Sequence, residues 1–110
     1  MGGMLRKRDE QLAKVLAALA DSTRRTILEE LSSRDDQSLF EILARLVEKH
    51  QLSITRQAVS KHLKVLEDAG LIETAWSGRT KLHSSCVANN KDVLIHWLEE
   101  IAPKENGSQR

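Results

Sequence analysis

The stretch "TRQAVSKHLKVLEDAGLI", residues 55 to 72, constrains this chain more than any other. At helical spacing Val59, Leu63 and Leu66 form one apolar stripe, supported by Ala58 and Ala69. Gln57, Ser60, Lys61 and Lys64 form the opposite stripe, with Arg56 beside Ser60 and no acid before Glu67. Thr55 has the chemistry of an N-cap, and Gly70 suits the left-handed position that ends a helix. The segment is therefore a helix anchored on one side and offering positive, hydrogen-bonding side chains on the other. Such a helix fits the major groove of B-DNA. There Arg and Lys pair with guanine, Gln with adenine, and Ser with a base or a phosphate. A merely solvated helix face has the same composition, so the flanking sequence has to discriminate.

Upstream, residues 1–8 read as a loose arm, and helical spacing begins near Asp9 with Leu12, Val15, Leu16 and Leu19. Asp21 or Ser22 caps a second helix, "TRRTILEEL", whose Ile27, Leu28 and Leu31 face inward. After the polar turn "SSRDDQ", Ser38 and Glu41 match a capping box. It opens a third helix through Leu39, Ile42, Leu43, Leu46 and Val47, and "SIT" links tightly to the helix quoted above. Downstream, "LIETAW" and "TKLHSS" flank Ser77-Gly78-Arg79 as a β-hairpin whose tip carries Arg79 and Lys81. Asn89 to Asp92 can cap a last helix with Leu94, Trp97, Leu98 and Ile101 on one stripe, until Pro103 stops it. The expected fold is mainly α with a small β-hairpin, a winged helix-turn-helix over residues 9–102, between the arm and a flexible tail at 103–110.

With 110 residues, 40% of them hydrophobic, the chain makes one domain, small enough that a second copy helps to bury its apolar surface. Its net charge is only +1, but residues 49–81 hold six Lys/Arg against three acids, leaving +3 there and −2 elsewhere. The single cysteine, Cys86, allows no intrachain disulfide and fits a reducing compartment. No signal-peptide pattern is legible, and no segment reaches the roughly 18 apolar residues of a membrane span. Cytoplasm is the expected location, with no membrane partner. The stripe on the last helix could cover the chain's own core. Paired with Leu12, Val15, Leu16 and Leu19, it makes the better dimer surface.

Three segments, "ALADSTRRTILEEL", "RQAVSKHLKVLEDAGLI" and "SGRTKLHS", carry a specific resemblance. In that order, over roughly residues 12–101, the chain resembles the ArsR-type winged helix-turn-helix repressors of bacteria. The family writes these as A-L-A-D-P-T-R-R, A-V-S-x-H-L-x-x-L-x-x-A-G-L, and an E-G-R-x wing followed by a strand. Ala17 to Arg25, Ala58 to Leu71 and Ser77 to Lys81 match those positions. The resemblance implies a homodimer built on the first and last helices, a near-palindromic operator, and release when an effector arrives. There are three departures. Ser22 replaces the usual proline, and the region between Glu41 and Ala58 is about six residues longer, in the third helix or its loop. The Cys-x-Cys pattern of the metal-sensing members is missing: Leu39, Phe40, Ile42 and Leu43 occupy that region, which implies the non-metal-sensing type.

Other chemistry has thin support. Cys86 with His83, or His96 with Glu99 and Glu100, would be sparse metal sites, and a buried small side chain is the commoner role for Cys86. No glycine-rich phosphate loop, nucleophile elbow or H-E-x-x-H is present, so no enzyme is expected. The expected partners are double-stranded promoter DNA, a second copy of the chain, and an effector of unspecified identity. No cofactor is expected. Arg56, Gln57, Ser60 and Lys61 are assigned to the major groove, Thr55, Lys64, Thr23 and Arg24 to phosphates, and Arg79 with Lys81 to the wing contact. The alternative is a winged-helix module whose basic face meets an acidic protein.

Overall fold

Side-chain caps set where three of the helices begin. The computed structural model describes residues 2–102, with side chains from residue 7 onward. Helix α1 (Gly2–Leu19) leads into α2 (Ser22–Ser33), which Asp21 caps by accepting from the Arg24 backbone N–H at 3.1 Å. That bond is the main reason the Asp21 carboxyl sits below its ordinary pKa. Helix α3 (Leu39–Glu48) opens on a complete capping box. Glu41 N–H donates to Ser38 Oγ at 3.1 Å, and Ser38 N–H donates to Glu41 Oε1 at 2.9 Å. Helix α4 (Arg56–Asp68) is capped by Thr55, whose Oγ1 accepts from Ala58 N–H at 3.1 Å. Sequence spacing predicts these caps because each is a contact over three residues.

The other two helix starts differ from expectation. Helix α5 (Ala88–Ile101) has no side-chain cap, and Asn90 is bonded elsewhere. Helix α1 starts at Gly2 rather than near Asp9, so residues 2–8, expected as an arm, are its first turns. Met4 to Arg8 are good helix formers and no proline interrupts them. The tail expected at 103–110 lies outside the described residues.

Strands β2 (Ile72–Ser77) and β3 (Thr80–Ser85) form the expected hairpin, with Ser77 opposite Thr80. Gly78, first of the two loop residues, has φ +62°, as a type II′ turn requires. A third strand, β1 (Gln37–Ser38), pairs antiparallel with β3, so the sheet order is β1-β3-β2. Two residues carry no period-2 signal, and the sequence does not announce this strand. Gln37 is buried, and its Nε2 donates to the Arg34 carbonyl at 2.8 Å at the end of α2. Its own carbonyl accepts from His83 Nδ1 at 2.9 Å.

One apolar cluster, including Ala18, Ile27, Leu31, Ile42, Leu46, Leu66 and Leu71, fills the space between α1–α4 and the sheet. Val15 belongs to it at 1% exposure, which corrects its expected place on the dimer surface. Its side chain already lies in the chain's own core. Helix α5 has no buried residue.

A carboxylate also lies in this interior. Glu30 of α2 has its side chain 4% exposed, and Lys49 Nζ at 2.8 Å, His50 Nε2 at 2.7 Å and Arg45 at 3.9 Å converge on it. These contacts hold the end of α3 and the following loop, the lengthened segment, against α2. Hydrogen bonds from Lys49 and His50 keep Glu30 below its ordinary pKa of 4.5. A lowered folded-state pKa stabilises the fold above that ordinary value, and the stabilisation is lost as pH falls through the lowered one. The partners are partly exposed, which weakens the pairs through screening. Glu30→Gln should lose about 1–3 kcal/mol in urea unfolding at neutral pH. The deficit should shrink as acid protonates Glu30 in the parent. A deficit independent of pH would show that charge is not what Glu30 contributes.

Candidate nucleic-acid interface

Burial of Val59, Leu63 and Leu66 fixes the rotation of α4 about its own axis. At 3.6 residues per turn, Gln57, Lys61 and Lys64 then point away from the core. Arg56, Ser60 and Glu67 lie toward the hairpin, and Ala58, His62 and Val65 lie on the other flank. Thr55, Arg56, Gln57, Ser60, Lys61 and Lys64 are all exposed, as are Arg79 and Lys81 on the hairpin. Lys64 Nζ pairs with Asp68 Oδ1 at 3.2 Å. Arg56, Lys61, Arg79 and Lys81 make no ion pair among the described residues.

A cleft of about 550 Å³ separates α4 from the hairpin and brings Arg56, Ser60 and Lys64 together with Arg79 and Lys81. Gln57 and Lys61 lie on the adjoining outward face. The arrangement is a convex helix edge beside a basic groove, a shape suited to a polyanion that has a groove of its own.

Arg24 has a different place from the one expected. Its Nε donates to the Ala18 carbonyl at 2.8 Å, Nη2 to the Ala17 carbonyl at 3.0 Å, and Nη1 to His62 Nδ1 at 3.2 Å. The guanidinium closes the end of α1, where carbonyls lack helical partners, and ties it to α4. Arg24 is thus a clamp within the fold rather than a phosphate ligand. A guanidinium only donates, so in this contact His62 Nδ1 is the acceptor. Thr23 is half-buried in the first turn of α2 and does not line the cleft.

The end of α4 positions the hairpin. Leu71 N–H donates to the Leu66 carbonyl and Gly70 N–H to the Glu67 carbonyl, both at 2.9 Å, with Gly70 at φ +73°. This is a Schellman closure, completed by the buried pair Leu66 and Leu71. The Gly70 carbonyl accepts from Asn90 Nδ2 at 2.7 Å and from Cys86 Sγ at 3.4 Å. Gln11 Nε2 donates to Asn90 Oδ1 at 2.7 Å and to the Ala69 carbonyl at 3.1 Å, so α1, α4 and α5 meet here. Burial raises the Cys86 thiol pKa, with Glu73 adding to the effect, which keeps the thiol protonated at this joint. Sequence reasoning finds Gly70 but misses Gln11 and Asn90, whose partners are distant in the chain. His96 Nε2 lies 3.1 Å from Glu100 on the exposed side of α5.

Comparison with known proteins agrees with this geometry. Residues 19–75 match the helix-turn-helix domain family. An uncharacterised HTH-type transcriptional regulator of Bacillus subtilis (strain 168), YuzN, is 48% identical over 88 residues, spanning 77% of this chain and 92% of that protein. The structure of an ArsR-like transcriptional regulator from Rhodococcus sp. RHA1 superposes with TM-score 0.69 at 38% identity, covering 84% of this chain and 77% of that one. A homodimeric winged helix-turn-helix DNA-binding domain from Mycobacterium bovis shares the fold, with TM-score 0.63 at 20% identity over 92% of this chain and 89% of its own.

Gly70 provides a direct test of the joint. A Cβ there would stand 2.6 Å from Asn90 Nδ2. Gly70→Ala should therefore destabilise by about 2–3 kcal/mol, combining left-handed strain with displacement of Asn90. In an Asn90→Ala background the same change should cost about 1–2 kcal/mol, the strain alone. Equal losses in both backgrounds, measured by thermal unfolding, would show that Asn90 does not press on this site.

Proposed function

The chain belongs to the ArsR family of winged helix-turn-helix transcriptional regulators, and from that premise we propose that it is a homodimeric repressor acting on an inverted-repeat operator. The observation that carries the proposal is the division of α4 into a buried anchor and an exposed, basic outward edge beside a basic hairpin. Gln57 and Lys61, flanked by Arg56 and Ser60, are the side chains for base edges. Thr55, Lys64 and Thr23 are assigned to phosphates, and Arg79 with Lys81 to the wing contact. Repression follows from occupying promoter DNA in the cytoplasm. An effector that favours another spacing of the two reading helices releases it. Operator binding itself needs no cofactor.

Dimerisation is supported by the apolar surface left open on α1 and α5. Leu98 is 45% and Ile101 57% exposed, and Leu16 is exposed beside them in the assigned set. Ile95, exposed on α5, adds to this surface although the stripe read from sequence passes it by. Leu12, Leu19, Leu94 and Trp97 are half-buried. A two-fold axis there would set the reading helices about 34 Å apart, one turn of DNA.

A mobility-shift assay with a fragment of the chain's own upstream promoter should show salt-sensitive, sequence-selective binding. Equal retention of a scrambled fragment would count against the repressor and favour a module for acidic proteins. Gln57→Ala should reduce discrimination between specific and scrambled DNA more than it reduces binding to either. Leu98→Arg should halve the particle mass in light scattering and weaken operator binding by about tenfold or more. An unchanged mass would remove α5 from the interface.

A further inference from the structure

Two large aromatic side chains lie outside both the core and the α1–α5 surface: Phe40 is 76% exposed and Trp76 69%. Strand alternation gives Trp76 its direction. It shares a sheet face with buried Ile72 and with Thr74, whose Oγ1 donates to Glu67 of α4 at 3.4 Å. That face is turned toward the reading helix, and Trp76 stands on it nearer the hairpin tip. Lys81, its cross-strand partner, stands on the same face. Phe40, in the first turn of α3, borders the same cleft from the other side of the sheet order. Neither ring serves the hydrophobic core, and an exposed Trp and Phe beside one groove mark a contact surface.

Charge selects the occupant. Arg56, Arg79 and Lys81 line this cleft without an ion partner among the described residues, and Glu67 is the one acid in the lining. The complementary object is a polyanion that shows apolar faces between its charges. A nucleic-acid strand is built that way, with sugars and base edges between successive phosphates. An acidic peptide would satisfy the cations but has no regular planar face for the rings.

Resting on the functional reading above, we propose that one DNA strand runs through the cleft between α4 and the wing. Trp76 and Phe40 pack on its sugars and base edges, while Arg79 and Lys81 meet its phosphates and Arg56 stays with the base-reading set on α4. The aromatic contacts release no counterions, so they add affinity without adding salt dependence. This distinguishes them from the basic side chains around them.

The test titrates the full chain against an operator fragment at several salt concentrations, following fluorescence anisotropy of labelled DNA. Trp76→Ala should weaken binding about tenfold at every salt concentration, with the slope of log affinity against log salt unchanged. Phe40→Ala should act in the same way. Arg79→Ala should make that slope shallower by about one. Trp76→Phe should recover most of the loss, because a ring rather than the indole N–H makes the contact. Both aromatics are exposed, so the alanine variants should keep the parent's unfolding midpoint. Affinity of Trp76→Ala within about twofold of the parent would overturn the proposal and leave DNA binding intact. So would a slope change like that of Arg79→Ala, or a phenylalanine variant as weak as alanine. A parent chain that binds no fragment would defeat the functional reading, and this inference with it.

Discussion

The backbone reversal at Gly70 is the constraint on which the functional parts depend. Its positive φ lets the chain leave α4 and enter β2 across three residues, so the reading helix and the wing share one origin. The same residue's carbonyl takes Asn90 of α5, and Asn90 in turn takes Gln11 of α1. Two helices that carry the open apolar surface are therefore hydrogen-bonded to the end of the helix that carries the basic one. A residue with a Cβ would fail here twice, once in its backbone and once against Asn90. Glycine is required by the geometry of three helices, beyond the ending of one.

Charge in this chain is sorted by location, which the net value of +1 conceals. Lys49 counts toward the basic middle of the sequence, yet in the fold it pairs with Glu30, together with His50 and Arg45. Arg24 looks available in sequence and is engaged with the carbonyls of α1. Lys64 is shared with Asp68. After these pairings, Arg56 and Lys61 of the reading helix and Arg79 and Lys81 of the wing are left without an ion partner among the described residues. A basic surface on a nearly neutral chain thus arises from where its unpaired cations are gathered, on α4 and the hairpin, while other cations are taken up by internal partners.

What was legible in the sequence was local. Apolar spacing gave the helices, because a period of 3.6 is visible within any helix that buries one side. The caps at Asp21, Ser38 and Thr55 were legible because each reaches only three residues along the chain. The hairpin and its turn were legible for the same reason. Long-range pairing was not. Strand β1 is two residues long, and its partner lies more than forty residues away. Asn90 looked like a cap because amides near a helix start usually are, but its amide answers to Gly70. Val15 shares a spacing with Leu12, Leu16 and Leu19, and spacing alone cannot say which leucine or valine on a broad apolar stripe faces inward. At the candidate interface the side chains on α4 and the wing were legible as a set. The cleft between them, and the aromatics beside it, required the fold.

Apolar surface follows the same sorting as charge. The core takes its side chains from α1 to α4 and the sheet, and none from α5. A helix in water holds its shape mainly through a packed apolar face, so a 14-residue helix with no buried side chain is poorly supported within one chain. No described residue covers Leu98 or Ile101, and a second copy would present the same surface in return. The exposed rings at the cleft differ in kind. They are two, and they stand among the cations Arg56, Lys64, Arg79 and Lys81, in a cleft that no residue of α5 lines. A surface meant for another copy of this chain would gain little from flanking charges of one sign, since like charges would then meet across the axis. The α5 surface therefore fits self-association, and the cleft fits a partner of opposite charge. On that ground the two exposed apolar regions suit two different kinds of partner.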